Sequence, residues 1–352
     1  MSRFLCKKRA SLEAYVPGEQ PRDRKYIKLN TNESPFPPSA ATLRCLGGEQ
    51  DLNLYPDPTC SELAEAVAGL YGLKPENVVL GNGSDEILAF AFLAFCDEDT
   101  PASFADITYG FYPVFADLFG VPYKEIPLKD DFTVDVDRFC EAEGTVILAN
   151  PNAPTGIALE LGEIERILRA RPDNVLIVDE AYVDFGARSA VELLEQYENL
   201  LVVQTYSKSR SMAGARLGFA LGAPELIQDL NRIRYSFNPY NIDRITLRLG
   251  AAALADNGYY MDCCRTICET RAFTAERLRA LGFEVTDSRT NFLFARHPDL
   301  GGEAYYQQLR ERGVLVRHFG KARITDYVRI TVGTREEMDA LLRETEAILK
   351  GE

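Results

Sequence analysis

NVLIVDEAYVDF, residues 174–185, and NLLVVQTYSKS, residues 199–209, carry the reading of the fold. Each holds a continuous β-branched and Leu-rich run, and a polar helical stretch separates them. That pattern predicts parallel strands covered by helices on both faces. In open sheets of this kind ligands sit beyond the carboxyl ends of the strands. Asp179, Glu180 and Tyr182 follow the first run and Thr205, Ser207 and Lys208 the second, so an acid and an amine face one crevice. An ion pair at a domain rim would use the same two charges. The neighbouring residues favour a ligand. Ser209, Ser211, Ala213, Gly214 and Ala215 are small enough for close approach by something other than protein, and Arg216 adds a bidentate cation suited to a phosphate or carboxylate.

Outward from these runs, strand and helix patterns alternate. Residues 77–95, NVVLGNGSDEILAFAFLAF, read as strand, turn and helix. Gly81 and Gly83 permit the turn, and Ser84 and Asp85 fall at the N-cap and first turn, where free N–H groups and the helix dipole favour an anion. No lysine follows the glycines, so this is not a Walker loop, and the spacing is not GxGxxG. Residues 104–112 read as a strand ending in aromatics at the same edge, one of which can stack on a flat ring. TVILANPNAPTG, residues 145–156, is a further buried strand with a loop in which Ala153-Pro154 is a candidate cis bond. The alternation predicts an α/β fold with a mostly parallel sheet and helices on both faces.

Beyond Arg216 the pattern gives a strand over 217–223 and a helical region to about residue 270, broken at 236–240. From Arg271 it changes to a helix, alternating strand runs that include TNFLFAR and YVRITVG, and the amphipathic helix REEMDALLRETEAILK. This switch marks a smaller α+β domain. The expected division is an arm over 1–29 packed on the small domain or a partner subunit, a large domain over 30–261 and a small domain over 262–352. KLNTNESPFPP, residues 28–38, is a loop rich in turn formers. Tyr55-Pro56-Asp57-Pro58 leads into a helix expected to be capped near Thr59 or Ser61.

The chain has 352 residues, 46% of them hydrophobic, and a formal net charge of −14. That charge argues against nucleic acid and anionic membranes as partners. No signal-peptide core and no run long enough to span a bilayer occurs, so cytoplasm is the expected compartment. The eight cysteines are scattered and expected to be reduced thiols. Cys263, Cys264 and Cys268 read as thiols on a helix, and no metal site is expected with only two histidines in the chain.

An anion-binding helix start, an arginine, a strand-end carboxylate, a strand-end lysine and an aromatic together suit a ligand with a phosphate, a flat ring bearing a basic nitrogen, and a carbon open to attack by an amine. Pyridoxal 5'-phosphate has all three. DEAY at 179–182, TYSKSRSMAGARLGF at 205–219, NPNAPTG at 150–156, GNGSDE at 81–86, YPDP at 55–58 and VRITVGT at 328–334 resemble the fold-type I aminotransferases. YVPGEQ at 15–20, KLNTNESPFPPS at 28–39, DEAYVDF and RITVGTREEM at 329–338 are similar to the histidinol-phosphate aminotransferases within them.

The resemblance implies transamination between L-histidinol phosphate and 2-oxoglutarate, giving imidazole acetol phosphate and L-glutamate in histidine biosynthesis. It implies that Lys208 bonds to the cofactor aldehyde and then carries the reaction's proton, Asp179 pairs with the ring nitrogen, and Tyr182 meets the ring hydroxyl. Ser84, Asp85, Thr205, Ser207 and Arg216 would hold the phosphate and Tyr109 would stack on the ring. Tyr55 would reach the phosphate of the other subunit, making a homodimer with shared active sites. Arg329 would take the substrate's acid group, with Tyr15, Asn32, Tyr240 and Arg317 lining the same pocket. The chain departs from the family at Ala153, where an asparagine usually precedes PTG and supports the ring hydroxyl. Tyr182 is then expected to act alone, or Asn152 to lean in. A threonine-phosphate decarboxylase and an aromatic amino-acid aminotransferase share the same general features, and a transcription regulator using this fold would need a basic DNA-binding helix that the chain does not show.

Overall fold

The computed structural model describes residues 4–6, 9, 12–47 and 51–352. Of the arm expected over 1–29, residues 1–3, 7, 8, 10 and 11 lie outside the described residues. The chain begins with β1 (Ile27–Lys28), α1 (Ala40–Arg44) and α2 (Ser61–Tyr71). Strand and helix then alternate through β2 (Val78–Gly81), α3 (Ser84–Phe95), β3 (Ala102–Ala105), α4 (Phe111–Phe119), β4 (Tyr123–Ile126), α5 (Val136–Cys140), β5 (Thr145–Ala149) and α6 (Leu161–Ala170). Next come β6 (Leu176–Asp179), β7 (Leu200–Thr205) and β8 (Gly218–Gly222), followed by α7 (Pro224–Phe237), α8 (Arg244–Ala255) and α9 (Asn257–Ala280). The last part holds β9 (Glu284–Val285), β10 (Phe292–Arg296), α10 (Gly302–Glu311), β11 (Val314–Leu315), β12 (Arg317–His318), β13 (Val328–Thr331) and α11 (Arg335–Lys350).

The seven-stranded sheet runs in the order β2-β8-β7-β6-β5-β3-β4. Its pairings are parallel except those of β8, which runs against both β2 and β7. Strand alternation divides the core between the two faces. Val146, Leu148, Leu176, Val178, Leu200 and Val202 pack toward one face with Leu63, Val67, Ile164 and Ile167 of α2 and α6. Ile147, Ala149, Ile177, Leu201 and Val203 pack toward the other with Leu88, Phe92 and Tyr112 of α3 and α4. Burial on both faces is why these strands read as unbroken apolar runs.

β12, β13, β10 and β9 form an antiparallel sheet. Its core holds Leu293, Ala295, Val328 and Ile330 together with Leu278, Leu309, Met338 and Leu341 from α9, α10 and α11. α11 starts at a capping box in which Thr334 accepts from the Glu337 N–H and Glu337 accepts in return.

Several local expectations are corrected. Residues 104–112 are not one strand, because β3 stops at Ala105 and Phe111 and Tyr112 open α4. α9 runs through Arg271 without the expected break. Cys60, in a left-handed conformation and with no side-chain cap bond, is the residue before α2. The capping acceptor is Asp57, which takes the Ser61 N–H at 2.8 Å and the Thr59 N–H at 2.9 Å. The Thr59 hydroxyl, which donates to Oδ1 at 2.7 Å, together with those N–H bonds and the Ser61 hydroxyl, holds the Asp57 carboxyl well below the usual carboxylate range. Gly83 is the N-cap of α3, with Ser84 its first helical residue. The end of the stretch expected to be an arm is a strand, since β1 pairs in parallel with β11. Ala153-Pro154 is cis as expected, and Asn150-Pro151 is cis as well. All eight cysteines are free thiols, with Cys263, Cys264 and Cys268 on α9. Among the described residues no cluster could hold a metal and no helix is long and apolar enough to cross a membrane.

Candidate active site

β5, β6 and β7 end side by side at Ala149, Asp179 and Thr205. Thr205 pairs with Gly218 and Gly218 with Gly81, so the turn before α3 comes to the same edge. A cavity of about 180 Å³ lies beyond these ends. Lys208, Asp179, Tyr109, Tyr182, Ser84, Asp85, Thr205, Ser207 and Arg216 all line it. The acid and the amine therefore face one space rather than a domain rim.

Asp179 is 6% exposed. Its Oδ2 accepts from the Tyr112 hydroxyl at 2.8 Å and its Oδ1 from the Ala181 N–H at 3.2 Å, with no cation paired to it among the described residues. Burial pushes its carboxyl up to about 6 against those two hydrogen bonds. A buried acid on a cavity wall lacking a positive partner suits a ligand that supplies one, such as a protonated ring nitrogen. Strand alternation turns Glu180 to the opposite face. There it accepts from Ser189, the Ala190 N–H and Gln204, and burial pushes it up to about 7. Glu180 thus belongs to a buried network with Gln204 and Tyr71 and not to the cavity.

The other end of the cavity is a cradle for an anion. Gly83 has φ 81°, and a Cβ there would lie 2.5 Å from Arg216 Nη2. A Cβ at Gly218 would lie 2.5 Å from the Ser84 nitrogen. Glycine at both places lets the guanidinium and β8 close on the first turn of α3, whose N–H groups are unpaired within the helix. Arg216 donates to Ser207 Oγ at 3.2 Å and meets Asp85 Oδ2 at 3.3 Å. Tyr109 donates to Asp85 Oδ1 at 2.8 Å, which fixes its ring over the cavity. These groups fit a phosphate, and Tyr109 fits an aromatic ring beside it.

Lys208 Nζ lies 5.7 Å from the Tyr182 ring centre and donates to the Thr31 carbonyl at 3.3 Å. A second cavity, of about 480 Å³, shares Thr31, Tyr109, Ala153, Tyr182 and Lys208 with the first. Arg329, Arg317, Tyr15 and Asn32 line it. Arg329 donates to the Asn30 carbonyl at 3.2 Å, while its Nε is buried without a partner. Burial lowers the pKa of this guanidinium, a cost that an incoming anion relieves. Arg317 is tied to the Val16 and Pro17 carbonyls, and Tyr15 stacks on Phe111 at 4.4 Å.

A sequence model for aminotransferases of class I and II matches residues 24–344. The chain belongs to this family. It is 53% identical over 97% of its length to a histidinol-phosphate aminotransferase from a Marinomonas species, covering 98% of that protein. It is 48% identical over 99% of its length to one from Brachyspira hyodysenteriae, covering all of that protein. The fold is similar to the crystal structure of histidinol-phosphate aminotransferase from Sinorhizobium meliloti in complex with pyridoxal-5'-phosphate. That match has a TM-score of 0.85 and 26% identity and covers 93% of this chain and 92% of that one.

Not every residue singled out from the sequence of this aminotransferase reaches the cavities of its own chain. Tyr55 is 78% exposed and stacks on Tyr240 at 4.4 Å, so both stand outside them. The Asn152 amide is committed elsewhere, donating to the Ile107 carbonyl and Thr155 and accepting from Thr108, and it does not lean toward Tyr182. Asn32 Nδ2 does, donating to the Tyr182 hydroxyl at 2.9 Å. Tyr112, which lies within the same aromatic cluster as Tyr109, donates to Asp179, and Thr31 and Thr331 hold Lys208 and Asn32, although none of the three stands out in the sequence.

Proposed function

We propose that this aminotransferase moves an amino group from L-histidinol phosphate to 2-oxoglutarate, producing imidazole acetol phosphate and L-glutamate in histidine biosynthesis, with pyridoxal 5'-phosphate as cofactor. The observation that carries the reading is one cavity holding a buried unpaired acid, an amine and an anion cradle, joined to a second cavity around a half-buried arginine whose Nε has no partner. Full-length identity near one half to histidinol-phosphate aminotransferases supports the substrate.

The bound cofactor supplies an aldehyde for the amine and a ring that accepts the charge left when the substrate's α-carbon loses its proton. Asp179 holds the ring nitrogen in its protonated state. Ser84, the Asp85 N–H, Thr205, Ser207 and Arg216 hold the phosphate, Tyr109 covers the ring, and Tyr182 meets the ring hydroxyl. Lys208 Nζ would take the proton from the substrate's α-carbon and return it on the far side of the substrate nitrogen. Arg329, with Arg317 and Tyr15 beside it, binds the acid group that both substrates carry, a phosphate in one and a carboxylate in the other. One anchor for two acids lets the half-reactions alternate in one site.

The same proposal takes residues 1–29 as an arm, 30–261 as the large domain and 262–352 as the small domain of a cytoplasmic homodimer. Its shared sites are supported by the exposure of Tyr55, which is free to enter a partner's cavity.

Purified holoenzyme should show cofactor absorbance that either glutamate or histidinol phosphate bleaches. Normal absorbance without turnover of histidinol phosphate would reject the substrate. The R329K variant should retain the absorbance and raise KM for both substrates by about 10- to 100-fold, because a lysine cannot reproduce a bidentate grip. An unchanged KM for either substrate would remove Arg329 from that role.

A further inference from the structure

We infer that Asn32 is a positioning residue that aims the Tyr182 hydroxyl into the cofactor cavity, locked for that task by Thr331. The inference rests on the reading that Tyr182 meets the ring hydroxyl.

Asn32 is 1% exposed and has φ 56°. Asparagine and aspartate enter that left-handed region more readily than other side chains. Its N–H donates to Thr331 Oγ1 at 2.9 Å, and Thr331 Oγ1 donates back to Asn32 Oδ1 at 3.0 Å. Its carbonyl accepts from Asn291 Nδ2 at 3.0 Å. The threonine has one hydroxyl proton and spends it on Oδ1. The orientation of the amide is thereby fixed, and Nδ2 is the group left to face Tyr182, at 2.9 Å. An amide nitrogen only donates. The phenol oxygen therefore accepts, and its own proton is free to point into the cavity that Tyr182 shares with Lys208.

No other side chain hydrogen-bonds the Tyr182 hydroxyl among the described residues. Ala153, which lines the same cavity, offers no polar group, and Asn152 is committed elsewhere. The lock also ties two functions together. Thr331 and Arg329 are two residues apart on β13 and share a face. Arg329 donates to the Asn30 carbonyl, Lys208 to the Thr31 carbonyl, and Asn32 donates to Tyr182. Three consecutive residues thus touch the substrate arginine, the lysine and the tyrosine.

The decisive variant is N32D. Aspartate keeps the size, tolerates the same backbone and still accepts from Thr331, but it cannot donate to Tyr182 and instead draws the phenol proton backward. Alanine would add backbone strain to the loss of the bond. Four holoenzymes are compared: wild type, N32D, Y182F and N32D/Y182F. The readouts are the pH midpoint of the cofactor absorbance and the cofactor dissociation constant, with thermal unfolding as a check on the fold.

N32D should raise the midpoint by about half to one pH unit and weaken cofactor binding by about 3- to 10-fold. In the Y182F background it should do neither, because the donor then has nothing to aim. A shift of equal size in both backgrounds would mean that the added charge acts directly, and it would overturn the inference. So would the absence of a shift in N32D while Y182F alone moves the midpoint. If Y182F moves nothing, the placement of Tyr182 at the ring hydroxyl fails, and the role of Asn32 falls with it.

Discussion

K208A is expected to lose turnover by about 10,000-fold or more while still binding the cofactor, and K208R to be almost as inactive. Lys208 sits just past β7 with its amine against the Thr31 carbonyl and the Tyr182 ring. Two tasks require it, bonding to an aldehyde and carrying a proton, and both need an amine that can give up its own proton. Arginine keeps the positive charge at this place yet stays protonated across the working pH range. If the role of Lys208 were to hold an anion or to pair with an acid, K208R would keep much of the activity. Stopped-flow absorbance on the two variants with glutamate separates the cases. Retention of more than about a tenth of the wild-type rate in K208R would remove Lys208 from proton transfer.

Asp179 and Lys208 were legible in the sequence for a physical reason. Each ends a strand buried on both faces, so the change from apolar to charged residues marks the sheet edge. The glycines before α3 were legible because the conformation they permit is local. Pairings between distant residues left less trace. β8 runs against its neighbours, but an apolar run carries no sign of its direction. β1 and β11 are two residues each, too short for any period to show. Asp57 displaced the expected caps of α2 because its carboxylate reaches two backbone donors at once, which composition alone does not rank. Asn32 was expected to line a substrate pocket; it lines the larger cavity, and its side chain is turned by Thr331, nearly the whole chain away. Tyr112 lay inside a run read as strand. Placing it on α4 is what brings its hydroxyl to Asp179.

Asp179 gives the other large effect, and it changes sign with the cofactor. Its carboxyl has a pKa of about 6 in the fold against an ordinary value of 3.8. The raised value means that the folded chain favours the protonated form. Relative to the unfolded chain, that stabilisation is complete below about pH 4 and is lost as pH rises through 6. Above that range the cofactor-free protein holds a buried negative charge that makes no ion pair among the described residues and is only partly offset by the Lys208 amine. D179N removes the charge and keeps an oxygen to accept from Tyr112. Cofactor-free D179N should therefore be more stable than cofactor-free wild type at pH 8, by on the order of 2–3 kcal/mol. The gain should vanish toward pH 4. With cofactor bound the order should reverse, since the wild-type carboxylate then faces a protonated ring nitrogen and the amide does not. The same loss should lower kcat/KM by about 100-fold or more, the usual consequence of removing one partner from a buried charge pair. Thermal unfolding of both proteins from pH 4 to 8, with and without cofactor, reads the two signs. A stability gain independent of pH would show that the carboxylate is not the source, and a gain that survives cofactor binding would show that Asp179 does not face the ring nitrogen.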